Sequence, residues 1–135
     1  KPTFANSFLW KIIYESQGRF FTDGVRILPS KKIFYGESIA KLNIHKDFPF
    51  LNSKSQQYKD IVRFAWFSDN YLAIDPANKN RIFDIRYSMI PNHISGLWGI
   101  EIDYDGTEEQ HIKYITNRSL SQRRFKVLID MILDD

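Results

Sequence analysis

The segment FLWKIIYESQGRFFTDGVRI, residues 8–27, contains two runs of aromatic and β-branched residues on either side of a Ser-Gln-Gly turn signal. Such runs favour extended strands, and Gly18 can take the positive φ that a tight hairpin turn needs. We therefore predict a β-hairpin with strands over residues 8–15 and 19–27. Asp23-Gly24 lies inside the second strand and predicts either a bulge or a second turn there.

Other segments also have the residue pattern of β-strands joined by turns. Residues 71–75 and 81–89 flank a turn at 76–80, and residues 97–104 and 111–116 flank Asp105-Gly106-Thr107. Residues 33–35 predict a short strand, and the rest of 28–55 shows no clear pattern apart from a helix start at 53–55.

Two segments have helical periodicity. Residues 56–68 place apolar side chains at helical spacing, at Tyr58, Ile61, Val62 and Ala65. Residues 120–133 follow the capping-box pattern of Ser119–Gln122. We predict one α+β domain over residues 1–135, with about six strands in a mainly antiparallel sheet and both helices packed on it.

The composition excludes several classes of protein. An aromatic share of 16% excludes disorder for most of the chain, and the absence of cysteine excludes disulfides and cysteine-ligated zinc. No apolar run approaches the roughly 18 residues of a spanning helix. A net charge of +3 is too small to indicate a nucleic-acid partner.

The charges are unevenly distributed. Residues 1–66 carry 11 basic and 5 acidic groups, whereas residues 67–135 carry 8 basic and 11 acidic groups. Such a polarised surface could face an anionic membrane surface. The alternative is a set of solvated faces that segregate without function.

The most evident acidic cluster is Glu101, Asp103 and Asp105, which alternation places on one strand face. Its spacing is that of a calcium loop up to Gly106, but Ile112 stands where a bidentate glutamate is needed. The alternative is a solvated strand face that runs into a turn. We predict no metal site.

Asp84 and Arg86 are two residues apart, so both lie on the polar face of the predicted strand 81–89. They could clamp a polar ligand, or they could form a cross-strand ion-pair ladder with the acids at 101–105. The three histidines lack metal-ligand spacing, and the chain has no G-x-S-x-G motif and no glycine-rich phosphate loop. No catalytic residue is therefore identified.

Three segments together resemble a known domain: PTFANSFLWKIIYE (2–15), RFAWFS (63–68) and RIFDIRY (81–87). They are similar to the C-terminal soluble domain of the bacterial membrane-bound, predicted metal-dependent hydrolase family, which includes LexA-regulated inner-membrane proteins. The matching positions are Pro2, Asn6, Trp10, Trp66, Asp84, Arg86 and Tyr87. Residues 28–55 match nothing in the family pattern.

The resemblance implies that the chain is a fragment of a longer bacterial inner-membrane protein. The His and Asp residues behind the name hydrolase, and any divalent metal, would lie in the transmembrane half of the parent. This domain would then be a non-catalytic accessory or binding domain without a cofactor of its own. Its partner would be its own transmembrane half, and nucleic acid would not be a partner.

The residues leave two alternatives open. One is a hydrolytic enzyme that uses the most convergent polar groups, which are Asp84, Arg86, Glu101, Asp103 and His111. The other is a stand-alone small-ligand-binding module with an apolar pocket beside Trp10, Trp66 or Trp98. An exposed apolar patch near residues 1–10 would favour the accessory domain. The candidate binding residues are Asp84, Arg86, Glu101, Asp103, Asp105 and Trp10.

Overall fold

The computed structural model describes residues 1–3, 6–117 and 121–133. Within these ranges, two four-stranded antiparallel sheets and three helices follow in the order β1 Leu9–Ser16, β2 Arg19–Arg26, β3 Lys32–Phe34, β4 Ser38–Ala40, α1 Ile44–Asp47, α2 Gln56–Phe67, β5 Leu72–Asp75, β6 Asn78–Asp84, β7 Trp98–Glu101, β8 Lys113–Thr116 and α3 Gln122–Leu133. The predicted α+β class and antiparallel pairing are confirmed. The single six-stranded sheet with two helices is wrong, because the strands divide into two sheets and a third, short helix precedes α2.

The strands pair within two separate sheets. Sheet A contains β1–β4, and sheet B contains β5–β8 in chain order. In sheet A, β2 pairs with β1 on one edge, and its other edge pairs with β3 at one end and β4 at the other. Both edges of β2 are thus occupied before the chain enters α1 and α2. The next strand, β5, pairs with β6 and begins sheet B. Leu42 N–H donates to Leu72 O at 2.9 Å at the start of β5.

The β1–β2 hairpin is confirmed. Ser16 pairs with Arg19, and the turn residues Gln17 and Gly18 both have positive φ, at 50° and 70°. The pairing continues without a register shift through Gly24, so the bulge or second turn predicted at Asp23-Gly24 is wrong. Gly24 serves a different purpose, because a Cβ there would lie 3.1 Å from the Pro91 ring and 3.2 Å from the Met131 methyl group.

Helix α2 begins where the sequence predicts. The Ser55 hydroxyl caps it by accepting a hydrogen bond from Tyr58 N–H at 3.3 Å. The buried face is rotated from the predicted one: Ile61 is buried as expected, whereas Val62 is exposed. Packing against sheet B therefore selects a core of Ile61 with Phe48, Phe64, Leu72, Ile82, Ile100 and Ile102.

The strand predicted over residues 81–89 ends at Asp84. Its carboxylate accepts a hydrogen bond from Arg86 N–H at 3.0 Å, which turns the chain out of the sheet. The later strands are also shorter than the predicted 97–104 and 111–116, because residues 102–112 form a loop instead of a tight turn.

Helix α3 lies inside the predicted range 120–133, and Leu128 and Met131 pack against Leu9 and Ile90. Of the predicted capping box, Ser119 and Leu120 lie outside the described residues. Ser121 does cap the helix locally, since its hydroxyl accepts from Arg124 N–H at 3.3 Å.

The two faces of sheet A differ. The inner face carries Leu9, Phe20, Thr22 and Arg26, all buried, and α3 covers part of it. The opposite face, here called the open face, is exposed or half-buried. Its polar residues are Ser16, Arg19, Asp23 and Ser38, and its larger apolar residues are Phe8, Trp10, Ile12, Tyr14, Phe21, Val25, Ile27, Ile33 and Tyr35.

Candidate binding groove beside Asp60 and His111

A groove of about 600 Å³ runs between α2 and the strands β7 and β8. Its floor is apolar, because Phe64 and Ile100 are buried beneath it. Its walls are aromatic and exposed, formed by Trp66, Phe67 and Tyr114. A volume of this size is typical of pockets for small organic ligands. We call it the aromatic groove.

Asp60 and His111 stand at the groove as a hydrogen-bonded pair. Asp60 Oδ2 lies 2.8 Å from His111 Nδ1 and also accepts from Ile112 N–H at 3.2 Å, and Asp60 Oδ1 accepts from Gln56 Nε2 at 2.9 Å. The carboxylate is buried, whereas 69% of the His111 side chain is exposed. Asp60 therefore fixes the ring through Nδ1 and leaves Nε2 able to meet a ligand or accept a proton.

Burial alone would raise the pKa of the Asp60 carboxyl. The hydrogen bonds from Gln56, His111 and Ile112 outweigh that effect, so the net pKa lies below its ordinary value. Asp60 is therefore an anion at neutral pH, and its two oxygens are bound by Gln56, His111 and Ile112.

Arg63 supplies the free charge of the groove. It follows Asp60 by one helical turn, so both side chains reach the same side of α2. Arg63 is exposed, and no carboxylate among the described residues forms an ion pair with it. With Asp60 already paired, the groove offers a cationic group beside aromatic rings.

The predicted acidic residues lie in a neighbouring cleft of about 400 Å³, which Glu101, Asp103, Asp105 and His111 line. Each of the first two acids already has a structural partner. Glu101 accepts from Arg81 Nε at 2.6 Å across the β6–β7 pair. Asp103 accepts from Asp105 N–H at 3.0 Å and from Gln110 Nε2 at 2.9 Å.

These contacts place Glu101 at the end of β7 and Asp103 in the turn that follows, which agrees with the alternative of a strand face that runs into a turn. Across the described ranges, no cluster of three or more His, Asp or Glu side chains is arranged to hold a metal ion.

Asp84 and Arg86 are brought together, but away from both clefts. Asp84 is 0% exposed, and its carboxylate accepts from Arg86 Nε at 3.0 Å, from Arg86 Nη2 at 2.8 Å and from Trp98 Nε1 at 3.2 Å. Arg86 also binds Asp69 at 2.9 Å and the Phe67 carbonyl at 3.2 Å. The pair is structural: its groups face each other, and the ladder with residues 101–105 does not form.

Trp10 is the remaining predicted site residue, and it lies on the open face of sheet A. It is half-buried, and its indole N–H donates to the Ser7 carbonyl at 2.8 Å. Trp10 therefore belongs to neither cleft and is not part of the core.

Sequence reasoning identified His111 and Trp66 but missed Asp60 and Arg63. Helical periodicity indicated only an amphipathic helix over 56–68. The available signal was an acidic residue at position 60 next to Ile61, on a face that must be buried. A carboxylate there needs a partner, but its partner is 51 residues away in the chain.

Comparisons with protein-family models, curated proteins and solved structures found no match to this chain. Over the part of the chain that the structure describes, no helix combines the length and apolar character needed to cross a bilayer. The family resemblance therefore stays a prediction.

Proposed function

We propose that this domain binds a small planar aromatic carboxylate in the aromatic groove. The proposal rests on one observation: exposed aromatic rings line an apolar groove that also contains an arginine with no ion-pair partner among the described residues and a histidine held by a buried aspartate. This function corresponds to the stand-alone ligand-binding alternative, for which a pocket beside Trp66 was the expected feature.

Each group has a separate role in recognition. The rings of Trp66 and Tyr114 offer faces for stacking, an interaction worth about 0.5–1.5 kcal/mol per aromatic pair beyond burial. Arg63 provides the fork of donors that suits a carboxylate. Asp60 holds His111 through Nδ1, and in the imidazolium form Nε2–H can donate one further hydrogen bond to the ligand carboxylate.

The test compares two probes of the same shape. Isothermal titration calorimetry is carried out with 2-naphthoate and with 2-naphthamide, which keeps the ring but lacks the charge. We expect the carboxylate to bind roughly tenfold more tightly, the factor that about 1.4 kcal/mol produces. Arg63→Gln should remove this preference without abolishing binding of the amide.

Two aromatic variants locate the site. Trp66 and Tyr35 are equally exposed, at 81% each, but Tyr35 lies on the open face of sheet A. Trp66→Ala should weaken 2-naphthoate binding at least tenfold, whereas Tyr35→Ala should leave it unchanged. Equal effects of the two substitutions, or no saturable heat with either probe, would overturn the proposal.

The open face of sheet A favours a second function. Its exposed aromatic and aliphatic residues form a patch near the start of the chain, the feature expected of an accessory domain that packs against a membrane protein or an anionic bilayer. We test it by sedimentation with vesicles of phosphatidylcholine and phosphatidylglycerol. The accessory function predicts co-sedimentation that Ile12→Glu and Ile33→Glu abolish; wild-type protein that stays in the supernatant would contradict docking on a bilayer.

A further inference from the structure

Lys11 occupies a position that normally holds an apolar side chain. It lies in β1 between Leu9 and Ile13 on the inner face of sheet A, and it is only 4% exposed. Lysines are rarely buried to this extent unless their charge is paired. The burial of this cation therefore needs an explanation.

The contacts of the ammonium do not neutralise it. Lys11 Nζ donates to Ser88 Oγ at 2.9 Å and to the His93 carbonyl at 2.7 Å. An ammonium has three protons, so one remains without an acceptor among the described residues. No described carboxylate lies within ion-pair distance of it, and Glu37 exerts only a longer-range attraction.

This burial changes the proton affinity of the Lys11 ammonium. Burial lowers the pKa of Lys11 to about 8, although the charge of Glu37 partly opposes that shift. Near neutral pH the side chain is therefore still mainly protonated, at a cost in free energy that a nearby anion would relieve.

Lys11 also lines a cavity of about 210 Å³, together with Lys1, Asp69 and Arg86. Arg86 is already paired with the Asp84 and Asp69 carboxylates. Lys1 Nζ donates to the Tyr87 hydroxyl at 2.8 Å and has no acidic partner among the described residues. Arg86 thus pairs with the carboxylates near the cavity. The two lysines then give the cavity a net positive charge.

We propose that this cavity binds a small oxyanion, of the carboxylate or phosphate type, with Lys11 as its buried counter-ion. The volume is below the roughly 300–1,000 Å³ of pockets for drug-sized ligands, which favours a small anion over a larger molecule. An anion there would accept a hydrogen bond from the third N–H of the Lys11 ammonium and would pair a charge that has no carboxylate partner among the described residues.

The site is independent of the aromatic groove, because the two share no lining residue. Failure of one proposal would leave the other intact.

The experiment measures thermal unfolding at pH 7 with increasing sodium phosphate or sodium acetate, at ionic strength held constant with sodium chloride. A specific site gives stabilisation that saturates with anion concentration, whereas a general salt effect does not. We expect saturable stabilisation by at least one of the two anions, and the stronger one identifies the favoured class of oxyanion.

Lys11→Met keeps the unbranched stem and removes the charge, so it should fold and should lose the saturable stabilisation. The matched control is Lys54→Met, because Lys54 is exposed and lies outside the cavity. Retention of the effect in Lys11→Met, or its equal loss in Lys54→Met, would overturn the proposal.

A variant-free measurement covers the case in which Lys11→Met does not fold. Phosphate titrated into wild-type protein should shift the backbone amide signals of Lys11, Tyr71 and Ser88 in proton–nitrogen correlation spectra. Unchanged signals at these residues up to saturating phosphate and acetate would also refute the site.

Discussion

The Asp84 carboxylate accepts hydrogen bonds from three groups, of which the first is the Arg86 backbone N–H. It is fully buried and binds the Arg86 guanidinium and the Trp98 indole N–H. In Asp84→Asn the largely buried Arg86 guanidinium would face a neutral amide, which is a weaker partner than a carboxylate. Removing one member of a buried pair costs about 3–5 kcal/mol, and we expect a loss in this range of the free energy of unfolding, measured in urea.

The control for this prediction is the other carboxylate that Arg86 contacts. Asp69 is 74% exposed, and exposed ion pairs contribute at most about 1 kcal/mol. Asp69→Asn should therefore have a small effect. Equal losses for the two substitutions would show that burial does not govern the strength of these pairs.

Lys11 predicts how stability depends on pH. Burial lowers its pKa to about 8, whereas an unfolded chain has a lysine pKa of about 10.4. Between these values the unfolded state holds the proton and the folded state has released it, so the free energy of unfolding rises with pH. We expect a rise of about 2 kcal/mol between about pH 7 and 9.5.

Comparison with Lys11→Met isolates this contribution. The groups that face Lys11 are Ser88, the His93 carbonyl, Glu37 and the charges of the adjoining cavity, Lys1, Asp69 and Arg86. Urea unfolding in anion-poor buffer should give a steeper rise with pH for the wild type than for the variant. Parallel pH profiles would contradict a depressed pKa at Lys11.

Local pattern explains part of what could be predicted for single residues. The two-residue spacing of Asp84 and Arg86 predicted that both would lie on the polar face of one strand, but Arg86 lies beyond the end of β6. It could not indicate burial, because the strand ends at Asp84 and the Trp98 indole arrives from β7. The burial of a side chain depends on contacts between segments that are distant in the chain, and local periodicity does not predict those contacts.

For the elements, α2 offers a comparison of two aromatic residues in one helix. Phe64 is buried in the core, whereas Trp66 is 81% exposed at the groove. Phe64→Ala should cost about 3–5 kcal/mol, and Trp66→Ala should change stability by no more than about 0.5 kcal/mol.

Urea unfolding provides the measurement for both variants. A large loss of stability for Trp66→Ala would mean that this ring supports the fold, and the binding role proposed for it would then lose its basis.

The existence and type of α2 could be predicted because its periodicity and Ser55 cap are local signals. Its exact buried face could not, since four aromatic residues between positions 58 and 67 compete for the core. Packing against sheet B decides that Phe64 is buried and that Phe67 is exposed. Asp60 is buried for a similar reason, because its partners come from the loop before β8.

At the scale of the molecule, the hairpin signals predicted antiparallel neighbours but not the number of sheets. The turn at Gln17-Gly18 determines that β1 pairs with β2. No turn motif indicates which strand β5 pairs with after the helices. In sheet A one edge of β2 pairs with β1, and β3 and β4 share the other edge. Both strands come from the segment 28–55, whose sequence pattern is the weakest.

The binding role of the aromatic groove is tested most directly by locating a bound ligand. Titration of 2-naphthoate into nitrogen-15-labelled protein is followed by proton–nitrogen correlation spectra. We expect saturable shifts of the Trp66 indole N–H and of the His111 and Ile112 amides, while the signals of Trp10 and of the Lys11 cavity stay unchanged. Shifts confined to the open face of sheet A, or no saturable shift at the groove, would contradict this function.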